Sequence, residues 1–278
     1  MSRPRLPRPC LALVTDRRQG EGRALDTLVE AAVAGGVDLV QLREKDLPAA
    51  HLYDLALRLR EVTRGRALFV VNDRLDVALA VGADGVHLPG HGLPVAVARS
   101  VAGPSLLIGR SVHRLDEAVA AQEDGADYVQ LGTIFETASK PGVSGAGPGL
   151  VASVAGALAV PVLAIGGVRA ENVGAVLRAG AWGAAVVSAI LAAPDPADAA
   201  RQLKAAMGRS SVLSLTVNGK PRTIPGPMTL LEFLQANGIE PRIIAVERNG
   251  EIVKRDLFGD VKLADGDVLE IVHMVGGG

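Results

Sequence analysis

Eight short apolar runs, spread through the first two-thirds of the chain with helix-periodic segments between them, constrain the fold more than any other feature. They are "CLALVTD", "GGVDLVQL", "ALFVVND", "GADGVHL", "LLIGRSV", "GADYVQLG", "PVLAIGG" and "GAWGAAVVS". Gly36, Gly82, Gly125 and Gly180 sit where an Ala-rich segment such as "LDVALAV" would stop as a helix and turn into a strand. The runs are nearly continuously apolar, as parallel strands buried on both faces must be. Eight such units over about 200 residues predict an α/β fold, a closed (β/α)8 TIM barrel. A doubly wound open sheet is the alternative, with fewer strands and a phosphate loop after the first.

The pattern changes at "AAPDPADAARQLKAAMGRSS", read as a last barrel-covering helix and a short linker. This places a domain boundary near residues 205–211, between a barrel over 10–205 and a second domain over 211–278. In the second, Asn218-Gly219 and Asn249-Gly250 are type I′ hairpin signals between strand-like runs. "TLLEFLQANG" carries Thr229 and Glu232 at capping-box spacing and Gly238 as a stop. Strands around one helix in under 70 residues predict a small α+β fold. The chain then ends in "EIVHMVGGG". Such a terminus is either a frayed end or a tail that threads, extended, into a narrow slot where a Cβ would clash.

Composition narrows the function classes. A formal net charge of −1 argues against a nucleic-acid partner. No run reaches the roughly 18 apolar residues of a membrane span, and the basic opening "MSRPRLPRP" lacks the apolar core of a signal peptide. The single cysteine, Cys10, excludes an internal disulfide and fits a reducing compartment. Its place in a strand makes it a buried small hydrophobe. The expectation is a cytoplasmic protein without membrane or nucleic-acid partners.

In a barrel, chemistry collects at the C-terminal ends of the strands. There this chain places Gln41, Arg43 and Lys45, then Asn72 and Asp73, His87, Ser111 and His113, and Thr133, Thr137, Ser139 and Lys140. The period-two spacing of Gln41, Arg43 and Lys45 points all three the same way. Two inward cations are costly in a dry core unless they meet an anion, so a phosphate or diphosphate is the natural partner. The alternative is an ion-pair layer that plugs the barrel. Gly166 and Gly167, with Val187 and Ser188, mark a second anion site, because loops after strands seven and eight often bind phosphate through backbone N–H groups. Asp73 reads either as a Mg²⁺ ligand or as the cap of the following helix. Zinc among His87, His91 and His113 lacks cysteine or acidic support. "GAGPG" reads as a flexible loop rather than a dinucleotide fingerprint.

Residues 10–205 resemble the superfamily of thiamine phosphate synthase and thiazole tautomerase. The carrying motifs are "VQLREKD", "VNDRLDVALAVGADGVHL", "GRSVH", "TIFETASKPG", "AIGGV" and "VSAIL". Residues 211–278 resemble the ubiquitin-like (β-grasp) sulfur carrier of thiazole biosynthesis. The first resemblance implies that a hydroxymethylpyrimidine diphosphate couples to a thiazole phosphate, with release of pyrophosphate. Gln41, Arg43, Lys45, Asn72, Ser111, Thr137, Ser139 and Lys140 would hold the diphosphate substrate. Gly166, Gly167, Val187 and Ser188 would hold the thiazole phosphate, and Asp73 would bind Mg²⁺. Lys140, Ser111 and His113 are the candidate catalytic residues, His113 as the base if the barrel is instead a tautomerase.

Two departures keep that alternative open. The synthase family carries a second Mg²⁺-binding aspartate where this chain has Gly92, and the tautomerase carries a catalytic histidine where it has Thr133. A third alternative is a non-catalytic scaffold that binds thiazole phosphate for the carrier. The second resemblance implies that an ATP-dependent enzyme adenylates Gly278, that sulfur converts it to a thiocarboxylate, and that the Gly277-Gly278 tail delivers sulfur to thiazole synthase.

Overall fold

The computed structural model describes residues 3–137, 142, 144–210, 212–226 and 228–273. The chain divides into two compact units, residues 1–207 and 208–278.

Every apolar run of the first unit forms a parallel strand. They are β1 Cys10–Val14, β2 Leu39–Leu42, β3 Leu68–Asn72, β4 Gly85–Leu88, β5 Leu107–Val112, β6 Tyr128–Leu131, β7 Val162–Ile165 and β8 Gly183–Val186. Pairing of Cys10 with Gly183 and of Leu13 with Val186 joins β1 to β8 and closes the barrel, which excludes the open sheet. The helices are α1 Leu25–Ala34, α2 Ala49–Thr63, α3 Leu75–Ala80, α4 Val95–Ala102, α5 Leu115–Glu123, α6 Gly147–Ala157, α7 Val173–Arg178, α8 Ser188–Leu191 and α9 Pro196–Ser210. The four repeat glycines have φ of 103, 62, 92 and 96°, a region where a Cβ would be strained.

Alternation along each strand sorts two cores. Leu11, Leu13, Val40, Leu42, Phe69 and Val71 face the helices. Cys10, Ala12, Val14, Leu39, Val70, Tyr128 and Leu163 fill the barrel interior. Burial raises the Cys10 thiol far above its ordinary pKa, so it is inert packing.

The division between 207 and 208 falls within the boundary expected near 205–211, and α9 runs through it to Ser210, which leaves little room for a linker. One reading needs correction. "GAGPG" is not a loop throughout: Gly147 opens α6, with Pro148 in the first turn, where its missing N–H is not needed.

The second unit is a five-stranded sheet of order β10-β9-β13-β11-β12 beside one α-helix. The strands are β9 Val212–Val217, β10 Lys220–Pro225, β11 Ile244–Arg248, β12 Glu251–Val253 and β13 Val268–His273, and the helix is α10 Leu230–Ala236. Both Asn-Gly turns have positive φ at each central residue, as type I′ requires. The Thr229–Glu232 capping box forms in both directions. Central β13 runs parallel to β9 and antiparallel to β11. Its inward Leu269 and Ile271 pack with Phe233, Leu234, Ile244 and Val246.

Candidate active site

The C-terminal ends of the barrel strands enclose a cleft of about 870 Å³. Gln41, Arg43, Lys45, Asn72, Ser111, His113, Thr137, Gly166, Gly167, Val187 and Ser188 all line it. Ser139, Lys140, Gly277 and Gly278 lie outside the described residues.

The cation pair comes from the chain leaving β2. The strand ends at Leu42, yet Arg43 and Lys45 still face the cleft while Glu44 between them turns away. Glu44 is buried and accepts the Thr15 hydroxyl at 2.8 Å and the Arg17 guanidinium at 2.9 Å. Thr15 Oγ1 in turn accepts the Arg43 backbone N–H at 2.9 Å. Arg17 also grips Asp46 and holds its carboxyl down at about 2. This ionic cluster fixes the loop. Among the described residues no carboxylate pairs with Arg43, so an ion-pair plug is not what places it in the cleft.

Side-chain amides, rather than ions, cross the barrel beneath the cleft. Gln130 Nε2 donates to Gln41 Oε1 at 2.7 Å, and Gln41 Nε2 donates to Asn72 Oδ1 at 3.1 Å. The chain of bonds leaves a donor, Asn72 Nδ2, at one end and an acceptor, Gln130 Oε1, at the other. Gln130 was missed at the sequence level, although "YVQL" repeats the "LVQL" of Gln41 and was the signal to use.

On the opposite side Gly166 and Gly167 have φ of 99 and 63°. A Cβ on Gly166 would lie 2.7 Å from Thr133 Cγ2, and one on Gly167 would lie 2.8 Å from Phe135 Cβ. Asn172 ties this turn down, donating to Gly167 O at 2.9 Å and accepting from Arg169 N at 2.8 Å. Arg169, and Arg18 steadied by Asp16, are further cleft cations that strand-end reading did not find, because both sit inside loops.

His87 and His113 have opposite surroundings. His87 is fully buried, bonded through Nε2 to Ser111 Oγ at 2.8 Å and through Nδ1 to the Tyr128 hydroxyl at 3.2 Å. Burial, with Arg110 and Arg43 nearby, pushes its pKa down to about 3. His113 lines the cleft, and its Nδ1 donates to the Gly132 carbonyl, which leaves Nε2 as the basic nitrogen of the neutral ring. His87 is thus committed to Ser111 and Tyr128, and among the described residues no group of three or more His, Cys, Asp or Glu is arranged to hold a metal ion.

Asp73 does not cap α3 with its side chain. Arg74 is the N-cap residue and no side-chain capping bond forms. Asp73 has a φ of 66°, uncommon for a residue other than glycine. A Cβ on Gly92 would lie 2.9 Å from Asp73 Oδ1 and 2.8 Å from Pro89 Cδ, so the position tolerates no side chain without a shift. Asp73 is exposed, and a lone carboxylate with substrate phosphates is a donor set that Mg²⁺ takes, but Asp73 is not among the residues that line the cleft.

A family model described as thiamine monophosphate synthase matches residues 11–190, and one described as the ThiS family matches residues 215–278. Thiamine-phosphate synthase of Methanoculleus marisnigri is 48% identical over 197 residues, covering 70% of this chain and 93% of the relative. That of Moorella thermoacetica is 44% identical over 208 residues, covering 74% of this chain and 99% of the relative. Among solved structures, thiamine phosphate pyrophosphorylase from Pyrococcus furiosus is 38% identical with a TM-score of 0.66, covering 71% of this chain and 95% of that one.

Proposed function

The chain belongs to the thiamine monophosphate synthase family, and from that premise we propose what its two units do. The barrel joins a hydroxymethylpyrimidine diphosphate to a thiazole phosphate, releasing pyrophosphate. The C-terminal domain carries sulfur as a thiocarboxylate on Gly278. The observation that carries the barrel's part is the pairing, in one cleft, of the Arg43 and Lys45 cations with the Gly166-Gly167 turn. Two anion-binding features suit two phosphorylated substrates.

The C–O bond between the pyrimidine methylene and the diphosphate breaks, and its electron pair leaves with the diphosphate. The thiazole nitrogen then donates its lone pair to the resulting carbocation, so one bond is exchanged for another and no proton moves. Arg43, Lys45 and the Ser111 hydroxyl face the oxygens on which negative charge develops, where fixed donors lower the barrier most. The donor and acceptor ends of the Gln130–Gln41–Asn72 chain match an aminopyrimidine, which offers both kinds of group at its edge. Mg²⁺ held by Asp73 and diphosphate oxygens would neutralise further charge on the leaving group.

For the C-terminal domain, the partners on this reading are an adenylating enzyme that activates Gly278 and a thiazole synthase that accepts the sulfur. Both units then work in the cytoplasm, a placement supported by the single, buried cysteine. No helix among the described residues is long and apolar enough to cross a membrane.

The test mixes purified protein, pyrimidine diphosphate and aromatic thiazole phosphate, with and without Mg²⁺, and quantifies thiamine phosphate. Mg²⁺-dependent product is expected. Its absence, from folded protein that still binds thiazole phosphate, would favour a second reading in which His113 Nε2 moves a proton on the thiazole as a tautomerase base. A barrel that binds thiazole phosphate but performs neither reaction would be a scaffold for the carrier.

A further inference from the structure

Tyr128 and His87 are polar residues with no exposed surface, one on β6 and one on β4. Strand β5 gives up a side chain to house them. A Cβ on Gly109 would overlap the Tyr128 ring and lie 2.6 Å from His87 Nδ1. Among the described residues, His87 Nδ1 is the one hydrogen-bond partner of the Tyr128 hydroxyl. On its other side, His87 Nε2 meets Ser111 Oγ at the wall of the cleft.

A count of donors decides the direction of both bonds. If Nδ1 carried the ring proton, it would donate to the tyrosine oxygen and strand the phenolic hydrogen in a dry interior without an acceptor. If Nδ1 is bare, Tyr128 donates to it and the ring proton sits on Nε2, which donates to Ser111 Oγ. Every buried donor is then satisfied. Ser111 has no bare ring nitrogen to donate to, so its own hydrogen is left for the cleft.

We propose that Tyr128 and His87 are positioning residues that hold the Ser111 hydroxyl hydrogen free as a donor toward a substrate oxygen in the cleft. The arrangement requires no charge on the imidazole and no movement of a proton. It keeps the Ser111 hydroxyl hydrogen from being spent on His87 and so leaves it available to an anion in the cleft. The inference rests on the diphosphate reading for the identity of the oxygen, whereas the relay itself is independent of it.

Two measurements on the full chain test it. Nitrogen-15 NMR of histidine-labelled protein without ligand is expected to show His87 as the Nε2–H tautomer; an Nδ1–H ring overturns the relay. Calorimetric binding of inorganic pyrophosphate is then compared across wild type, Tyr128→Phe, Ser111→Ala and the double variant. Tyr128→Phe is expected to weaken binding about fivefold, the scale of one hydrogen bond, and to add nothing once Ser111 is alanine. Equal losses in both backgrounds would make Tyr128 merely structural and overturn the proposal. Wild-type protein that shows the Nε2–H tautomer yet binds no pyrophosphate overturns the diphosphate reading instead.

Discussion

Arg43 shows how a single residue inherits its role from neighbours that never touch substrate. Its direction follows from Glu44 being pinned the other way by Thr15 and Arg17, so the alternation of β2 persists past the strand's last residue. Arg43→Ala is expected to lower kcat/KM for coupling about 100-fold, the scale of losing a fixed donor at a developing anion. Arg43→Lys should recover part of it, since a point charge remains without the planar fork; steady-state kinetics on the pure variants decide. Gly109 makes the complementary point, that an absent side chain can be a requirement. Gly109→Ala should lower stability by about 1–3 kcal/mol in urea unfolding, because neither the Tyr128 ring nor the His87 ring has room to retreat. Stability unchanged in that variant would mean the two rings are not as tightly housed as the structure has them.

At the scale of elements, the second unit hangs several of its turns on one acid. Asp267 is buried, and burial would raise its pKa, but the Ala264 N–H, Arg248 and Asn249 bonds outweigh that and leave it below its ordinary 3.8. A carboxyl with a lowered folded-state pKa contributes stability that is complete above the unfolded value and lost as pH falls through the folded one. Wild type should therefore exceed Asp267→Asn in stability at neutral pH, with the gap closing as pH drops below 3.8. Acid titration of the unfolding midpoint reads this directly, and a gap constant down to low pH would refute it. The helical counterpart is the cap of α10: Thr229→Ala removes the hydroxyl that accepts the Glu232 N–H and should cost about 1 kcal/mol.

For the whole molecule, two units with separate cores let the two chemistries be separated experimentally. Deleting Gly277 and Gly278 should abolish thiocarboxylate formation, seen by mass spectrometry with the adenylating and sulfur-donating enzymes present, and leave coupling by the barrel intact. Sulfur loading that survives the deletion would remove the carrier assignment. Much of this organisation was legible beforehand. Strand identity is written in local apolar runs and strand boundaries in glycines that permit positive φ, so all eight barrel strands and both Asn-Gly hairpins follow from the sequence. Helix boundaries were less legible. α6 begins inside the Gly-rich segment "GAGPG" that reads as loop, because burial of its Val151 and Val154 outweighs local propensity.

What the sequence determined alone was which residues stand at the strand ends: Gln41, Arg43, Lys45, Asn72, Ser111 and the Gly166-Gly167 turn each occupy a position set by alternation or by a chain reversal. Which of them meet was decided only by closing the barrel. Cys10 pairs with Gly183 across most of the unit's length, and that closure brings Gln41 to Gln130 and Arg169 into the cleft, while pairing of β5 with β4 and β6 sets Ser111 beside His87 and His87 beside Tyr128. The physical reason is range. Backbone preference is settled by a residue and its neighbours in sequence, whereas a buried hydrogen bond exists only where donor and acceptor from distant strands converge away from water.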